Sequence, residues 1–280
     1  MGLDFIFILK AIIIAVVEGV TEFLPISSTG HMILVGKLIG FYDTPFVKMF
    51  QIVIQLGAIS AIVVLYWDKI WTMIKLFFKM DKKGLRFWLA IIVATLPAVV
   101  FGFLLEDLIE EKLFGFETVI IGLIVGGILL VVVENNFRKK AKTDRTTKEV
   151  EEMSYRQALL IGLFQCLAMW PGMSRSSSTI MGGWIAGLST TVAAEFSFFL
   201  GIPIMIGAST LKLAKFDYSS MTSTYWIALL VGFIVSFIVA LVVVDGFVSF
   251  LKKKPMRVFA VYRIFVGILL SIMILTNVIK

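Results

Sequence analysis

Only one cysteine, Cys166, stands in the 280-residue chain, so no internal disulfide can form and cysteine usage says nothing of redox compartment. Charge is scarce as well: 16% of residues are Asp, Glu, Lys or Arg, against about a quarter in an ordinary soluble domain. With 59% apolar residues and a mean hydropathy of +0.99, the chain is too apolar for water. These shortages exclude a disordered protein and a disulfide-rich secreted domain. The net charge of +7 and pI near 9.4 do not make a nucleic-acid binder, because the Lys and Arg residues gather in a few short loops, where they read as membrane topology. The start, Met1-Gly2-Leu3-Asp4, lacks a positive n-region and is not read as a cleaved signal peptide. What the chain has in abundance is long apolar runs, and the expected class is an all-α integral membrane protein.

A spanning helix needs about 20 apolar residues, with about 17 as a working minimum. Phe50–Trp67, Phe87–Leu105, Ala193–Leu211, Trp226–Val244 and Val258–Ile279 meet that standard, and Thr118–Val133 joins them with its flanks. Two further apolar regions are interrupted. Leu9–Gly40 is broken by Pro25-Ile-Ser-Ser-Thr-Gly-His31, and Ala158–Gly187 by Pro171-Gly-Met-Ser-Arg-Ser-Ser-Ser-Thr179. Polar, irregular backbone at membrane depth is tolerated only inside protein or beside a watery cavity. Both regions (9–40 and 158–187) are therefore expected to be re-entrant helix–loop–helix hairpins, accompanying six transmembrane helices.

Loop charges give the orientation. Asp68–Arg86 holds six basic residues against Asp68 and Asp81, Glu134–Arg156 holds seven, and Lys252–Arg257 holds four in six positions. The positive-inside rule places these loops in the cytoplasm. Glu106–Glu117, with five acids and only Lys112, fits the outer face, and both termini are expected outside. The chain also repeats: a shift of 147 lays Ala11–Glu18 on Ala158–Gln165, Ser27 on Ser174 and Gly36 on Gly183. We read a single membrane domain, 1–280, of two halves, 1–140 and 154–280. Each half carries one hairpin and three spans. Three is odd, so the halves are inverted, and such folds usually place their site near the midplane where the broken helices meet.

Glu18 and Glu22 are four apart and share one helix face. A charge at mid-membrane costs at least about 2.5–3.5 kcal/mol and is functional by default. The plain alternative is pairing to a buried base; the sharper one is an acid/base pair or a divalent-metal site, since hard cations take carboxylate oxygens. Ser27, Ser28 and Thr29 would cap the short arm that follows them. His31, the sole histidine, lies three residues after Ser28, within reach across the first turn. A serine beside a histidine base is a common route to an activated nucleophile; the alternatives make His31 the nucleophile itself or the acid for the leaving group. In the second break, Arg175 sits among Ser174, Ser176, Ser177, Ser178 and Thr179. Arginine forks onto phosphate or carboxylate, and hydroxyls at a helix N-terminus extend the anion cradle. Ser177 and Ser178 read as close helix packing instead. The plain reading of Arg175, a salt bridge to Glu18 or Glu22, also brings the two breaks together. Carboxylates, a nucleophile and an arginine form the inventory for phosphoryl transfer.

Glu18-Gly-Val-Thr-Glu22-Phe-Leu-Pro-Ile-Ser-Ser-Thr-Gly-His31 and Pro171-Gly-Met-Ser-Arg-Ser-Ser-Ser-Thr179 resemble the two signatures of the bacterial undecaprenyl-pyrophosphate phosphatase family, the bacitracin-resistance proteins. The resemblance runs nearly end to end, through Tyr155-Arg-Gln-Ala and Glu195-Phe-Ser-Phe. It implies hydrolysis of the terminal phosphate of a C55 isoprenyl pyrophosphate at the outer face of the bacterial plasma membrane. That reaction recycles the lipid carrier for wall synthesis, confers bacitracin resistance and depends on a divalent cation, Mg or Ca. By position, Glu18 and Glu22 take the family's metal-binding and proton-handling roles. Ser28 and His31 take its nucleophile and base, and Ser174, Arg175 and Thr179 its phosphate clamp; Ser27, Thr29 and Ser176 join them as substrate contacts. Ser28 is taken as the nucleophile and His31 as its base, although neither resemblance nor spacing decides between them. The rival is an inverted-repeat transporter or flippase of an anionic lipid. Membrane lipids and a homodimer, through the small-residue face Gly122…Gly126-Gly127, complete the expected partners; nucleic acid is not among them.

Overall fold

The computed structural model describes residues 3–113, 115–137 and 146–276. The basic run at 138–145, part of the expected cytoplasmic loop, lies outside the described residues, as do 277–280 at the end of the second half. Described residues form eleven α-helices, and no strand occurs among them. Six helices are long and apolar enough to cross a membrane: α3 (Pro45–Leu65), α5 (Lys82–Leu113), α6 (Phe116–Phe137), α9 (Thr190–Lys215), α10 (Ser223–Lys253) and α11 (Arg257–Leu275). They match the six expected spans: α5, α6, α9 and α10 are longer at both ends, whereas α3 starts earlier but stops at Leu65 and α11 stops at Leu275. α5 runs on through much of the segment expected as an acidic loop, because that segment's Leu, Glu and Lys residues are good helix formers and no breaker interrupts it before Gly115.

The other five helices explain the interrupted regions and one misread loop. The first interrupted region is α1 (Phe5–Thr21), a break at 22–27, and α2 (Ser28–Ile39). The second is α7 (Tyr155–Gln165), a 3-10 turn at Cys166–Met169, a break, and α8 (Arg175–Ile185). The arm after each break, of 12 residues in α2 and 11 in α8, is too short to span. α4 (Trp67–Phe78) replaces the expected polar loop after α3: its bases stand on an amphipathic helix that buries Ile70 and Met73. Lys69 on α4 bridges Glu151 at 3.1 Å and Glu195 on α9 at 2.9 Å.

Helices of the two halves interleave. α1 packs on α10 and α7 on α5, α3 meets α9, and α6 meets α11. This exchange is compatible with a two-fold relation between halves. Gly122, Gly126 and Gly127 are buried on α6, and a side chain there would strike Pro171, the Arg263 guanidinium and Ile264 respectively. The stripe expected as a dimer face is thus consumed inside the protomer, where small residues let helices approach closely.

Candidate active site

Both breaks end in the same local device. Ser27 caps α2 and Ser174 caps α8, each hydroxyl accepting from a backbone N–H three residues on, at 3.3 Å. Both serines have positive φ (72° and 68°), a conformation that costs a non-glycine residue about 1–3 kcal/mol and persists only where the surroundings enforce it. The two strained caps are 147 residues apart, the interval of the repeat.

Four sets of contacts enforce them by stitching one break to the other. The Gly172 N–H donates to Ser27 Oγ at 3.2 Å. Ser176 Oγ donates to the Leu24 carbonyl at 3.2 Å. Arg175 Nη2 pairs with Glu22 Oε1 at 2.6 Å while its Nη1 donates to the Ser197 carbonyl at 2.7 Å. Arg263, fully buried on α11, is the fourth. Its Nη1 donates to the Pro25 carbonyl (3.3 Å) and Ser177 Oγ (3.1 Å). Its Nη2 reaches the carbonyls of Gly172 (2.8 Å), Met173 (2.9 Å) and Gly122 (3.4 Å).

A short polar chain results: Ser28 Oγ donates to Glu22 Oε2 at 2.5 Å, and Glu22 is held in turn by Arg175. The chain borders a cavity of about 310 Å³ lined also by Ser27, Thr29 and Ser174 on its polar side. Ala98, Gly102, Ile204 and Met205 form the apolar side. Of the expected site residues, Glu22, Ser27, Ser28, Thr29, Ser174 and Arg175 therefore meet at one cavity. Glu18 lies just behind, entirely buried, next to Glu22 and Ser28, with both carboxylate oxygens lacking a hydrogen-bond partner.

Three expected residues stand apart. His31 does not reach Ser28. Its Nδ1–H donates to the Ser27 carbonyl at 2.8 Å, so Nε2 of the neutral ring accepts from Tyr262 at 2.9 Å. The carbonyl four residues back competes for the ring and turns it toward α11, away from Ser28. Thr179 lies one turn behind Arg175, donating to Ser197 Oγ at 2.7 Å, and Ser176 bonds across to Leu24; both are buried structural contacts outside the cavity lining. Sequence reasoning missed Arg263, Tyr262, Ser197 and the cavity-lining amides Gln55 and Gln165. A charge inside the apolar run Val258–Ile279 was the available signal for Arg263. Gln165, 3% exposed and with an unpartnered Oε1, occupies the repeat position of Glu18.

Metal-ligating side chains are few: no group of three or more His, Cys, Asp or Glu forms among the described residues. Magnesium, however, usually rests on one or two carboxylates plus substrate phosphates rather than a full protein cage. The two orphaned oxygens of Glu18 beside Glu22 fit that mode of binding.

Fold and site together define a polytopic membrane protein with a buried hydroxyl–carboxylate–guanidinium centre. Residues 11–269 match the family described as Bacitracin resistance protein BacA, and the chain belongs to that family. It is 58% identical over 304 aligned positions to an undecaprenyl-diphosphatase of Clostridium perfringens (strain 13 / Type A), with the whole of both chains covered. An undecaprenyl-diphosphatase of Clostridium tetani is 57% identical over 272 positions, covering 97% of this chain and 98% of the relative. That of Thermoanaerobacter pseudethanolicus is 48% identical over 273 positions, covering 98% and 99%.

Proposed function

We propose that the protein is an intramembrane undecaprenyl-diphosphatase that removes the terminal phosphate of a polyprenyl pyrophosphate, with Ser28 as nucleophile and Glu22 as its base. The observation that carries the reading is the Ser28–Glu22–Arg175 chain at the cavity, on a chain whose close relatives bear that enzyme name over their full length. Those names favour the phosphatase over the transporter. The cavity lining supports this reading, with apolar residues of α5 and α9 for a lipid tail beside hydroxyls and Arg175 for a headgroup. We read the two halves as inverted repeats in one membrane domain. On this reading the termini and the cavity mouth lie at the outer face of the bacterial plasma membrane, and the basic α4 segment lies in the cytoplasm.

The steps balance on the residues present. Glu22 Oε2 takes the Ser28 proton as Oγ attacks the terminal phosphorus, and the bridging P–O bond breaks to release the lipid monophosphate. Water then attacks the phosphoserine. Glu22 returns its proton to Oγ as that bond breaks, and both water protons leave with the phosphate. Arg175, anchored at both Nη atoms, keeps further N–H groups for the equatorial oxygens, where charge develops. Ser27 and Ser174 fix the two helix N-termini that face the same anion. Glu18, with Glu22, would hold a divalent cation such as Mg or Ca, which when bound neutralises pyrophosphate oxygens. His31 positions α2 through the Ser27 carbonyl.

The test is phosphate release from a C55 isoprenyl pyrophosphate by detergent-purified protein, with and without chelator. Ser28→Ala is expected to lose at least about a thousandfold in kcat, as loss of a nucleophile does. His31→Gln is expected to lose about tenfold to a hundredfold, the range for a misplaced reacting group. Equal collapse of both would restore His31 as the base or nucleophile, and full activity of Ser28→Ala would remove the serine from the mechanism.

A further inference from the structure

A second cavity of about 600 Å³ adjoins the first, and the two share Thr29 and Gln55. It is framed by the end of α2, the first half of α3, the start of α6 and the end of α9, at the opposite end of α3 from α4. Among the described residues its charged lining is mainly basic: Lys37, Lys48 and Lys212, with Asp43. Asp43 is paired to Lys48 at 2.9 Å, which leaves Lys37 as the ammonium nearest the wall shared by α2 and α6. Lys37 is held over the Phe116 ring at 4.4 Å, which keeps its ammonium at the wall. Along α3, Lys48, Gln51 and Gln55 follow one helix face from this cavity to the first, a rise of about 10 Å between Lys48 and Gln55.

An ion made at Ser28 needs hydrogen-bond donors along its way out. Ala98, Gly102, Ile204 and Met205 on the apolar side offer it no donor. The lysine-lined cavity offers ammonium groups and amides in sequence, and a mainly basic cleft concentrates anions. We infer that this cavity is a second phosphate-group site, a vestibule through which the ion released at Ser28 departs and in which inorganic phosphate is held before it escapes. The inference rests on the phosphatase reading for the origin of the ion, whereas the binding of phosphate here does not depend on turnover. A phospholipid headgroup carries the same chemistry. Continuity with the cavity of the reacting group favours the free ion.

The experiment reads line broadening of inorganic phosphate by 31P NMR on the full chain in a phosphate-free detergent, beside phosphate inhibition of turnover. Binding is expected to survive in Arg175→Ala, which removes the clamp of the first cavity. In Lys37→Gln/Lys48→Gln it is expected to weaken by about tenfold, the loss of one charge-assisted contact, with the inhibition constant for phosphate rising in step. Lys37→Arg/Lys48→Arg is expected to restore both, which separates lost charge from lost structure. Binding that disappears in Arg175→Ala and ignores the lysine changes would overturn the proposal. Displacement of phosphate by a short-chain phosphatidylglycerol would overturn the exit role and make the vestibule a headgroup seat. Intact lysine-dependent binding without turnover of the C55 substrate would leave the site standing and defeat the phosphatase reading instead.

Discussion

Replacing Arg263 by Met separates the energy of the fold from the geometry of the site. The substitution keeps length and apolar bulk while deleting every donor. Two carbonyls, those of Gly172 and Met173, lose bonds of 2.8 and 2.9 Å in a fully buried setting; the longer contacts to Pro25, Gly122 and Ser177 have more room to relax. At about 1–3 kcal/mol for each stranded buried acceptor, the cost is about 2–6 kcal/mol. Against it stands relief from holding a guanidinium that has no carboxylate in its hydrogen-bond set, a desolvation penalty of several kcal/mol. The two nearly cancel, so the apparent melting temperature in detergent should move by only a few degrees. Activity has no such offset. Arg263 fixes the Pro25 and Gly172–Met173 backbones relative to each other, and a displacement of about 1 Å between reacting groups costs about a hundredfold. The expected result is at least a hundredfold loss of phosphate release from a protein that remains folded and monodisperse, with Arg263→Lys intermediate. Gly126→Ala, whose new methyl would collide with the same guanidinium, should reproduce the loss and add little to Arg263→Met. Near-normal turnover in Arg263→Met would refute the argument, and so would gross unfolding, since either breaks the balance between the two energies.

Ser27→Ala deletes an N-cap and the acceptor for Gly172 N–H together, so a loss of about 1–3 kcal/mol in stability is expected, measured by denaturation in mixed micelles. Burial pulls the Lys69 ammonium down, but Glu195 and Glu151 outweigh it and leave its pKa above the ordinary 10.5. A raised lysine stabilises fully below its unfolded pKa and stops doing so as pH climbs through the folded one. The melting-temperature gap between wild type and Lys69→Met should therefore hold from pH 7 to about 10 and close only above that.

The spans were legible because apolar length is dictated by the bilayer, and the two broken helices because Pro25 and Pro171 precede hydroxyl runs that no simple span tolerates. The approach of Glu22 to Arg175 was legible as the plain reading of Arg175, a salt bridge to Glu18 or Glu22, because opposite charges in apolar surroundings lower each other's cost. His31 was not, since spacing along a helix fixes which residues share a face but not which acceptor captures a ring. The Ser27 carbonyl takes both the backbone N–H and the Nδ1–H of His31, and Ser28 is left to Glu22. Arg263 escaped because the nearby bases at 252–257 absorbed the reading of charge in that region. α4 escaped because its bases outweighed the apolar positions that bury it.

Arg263 sits in the last helix of the described chain, yet three of the backbone carbonyls it holds belong to the breaks after α1 and α7 and a fourth to α6. Site maturation is thereby ordered in time. A chain emerging from the ribosome can lay down both hydroxyl-rich breaks, the Glu22–Arg175 pair included, and still lack the strut that locks them. Competence arrives only when α11 enters the bilayer, so a truncated or stalled chain would be a membrane-inserted but catalytically silent product.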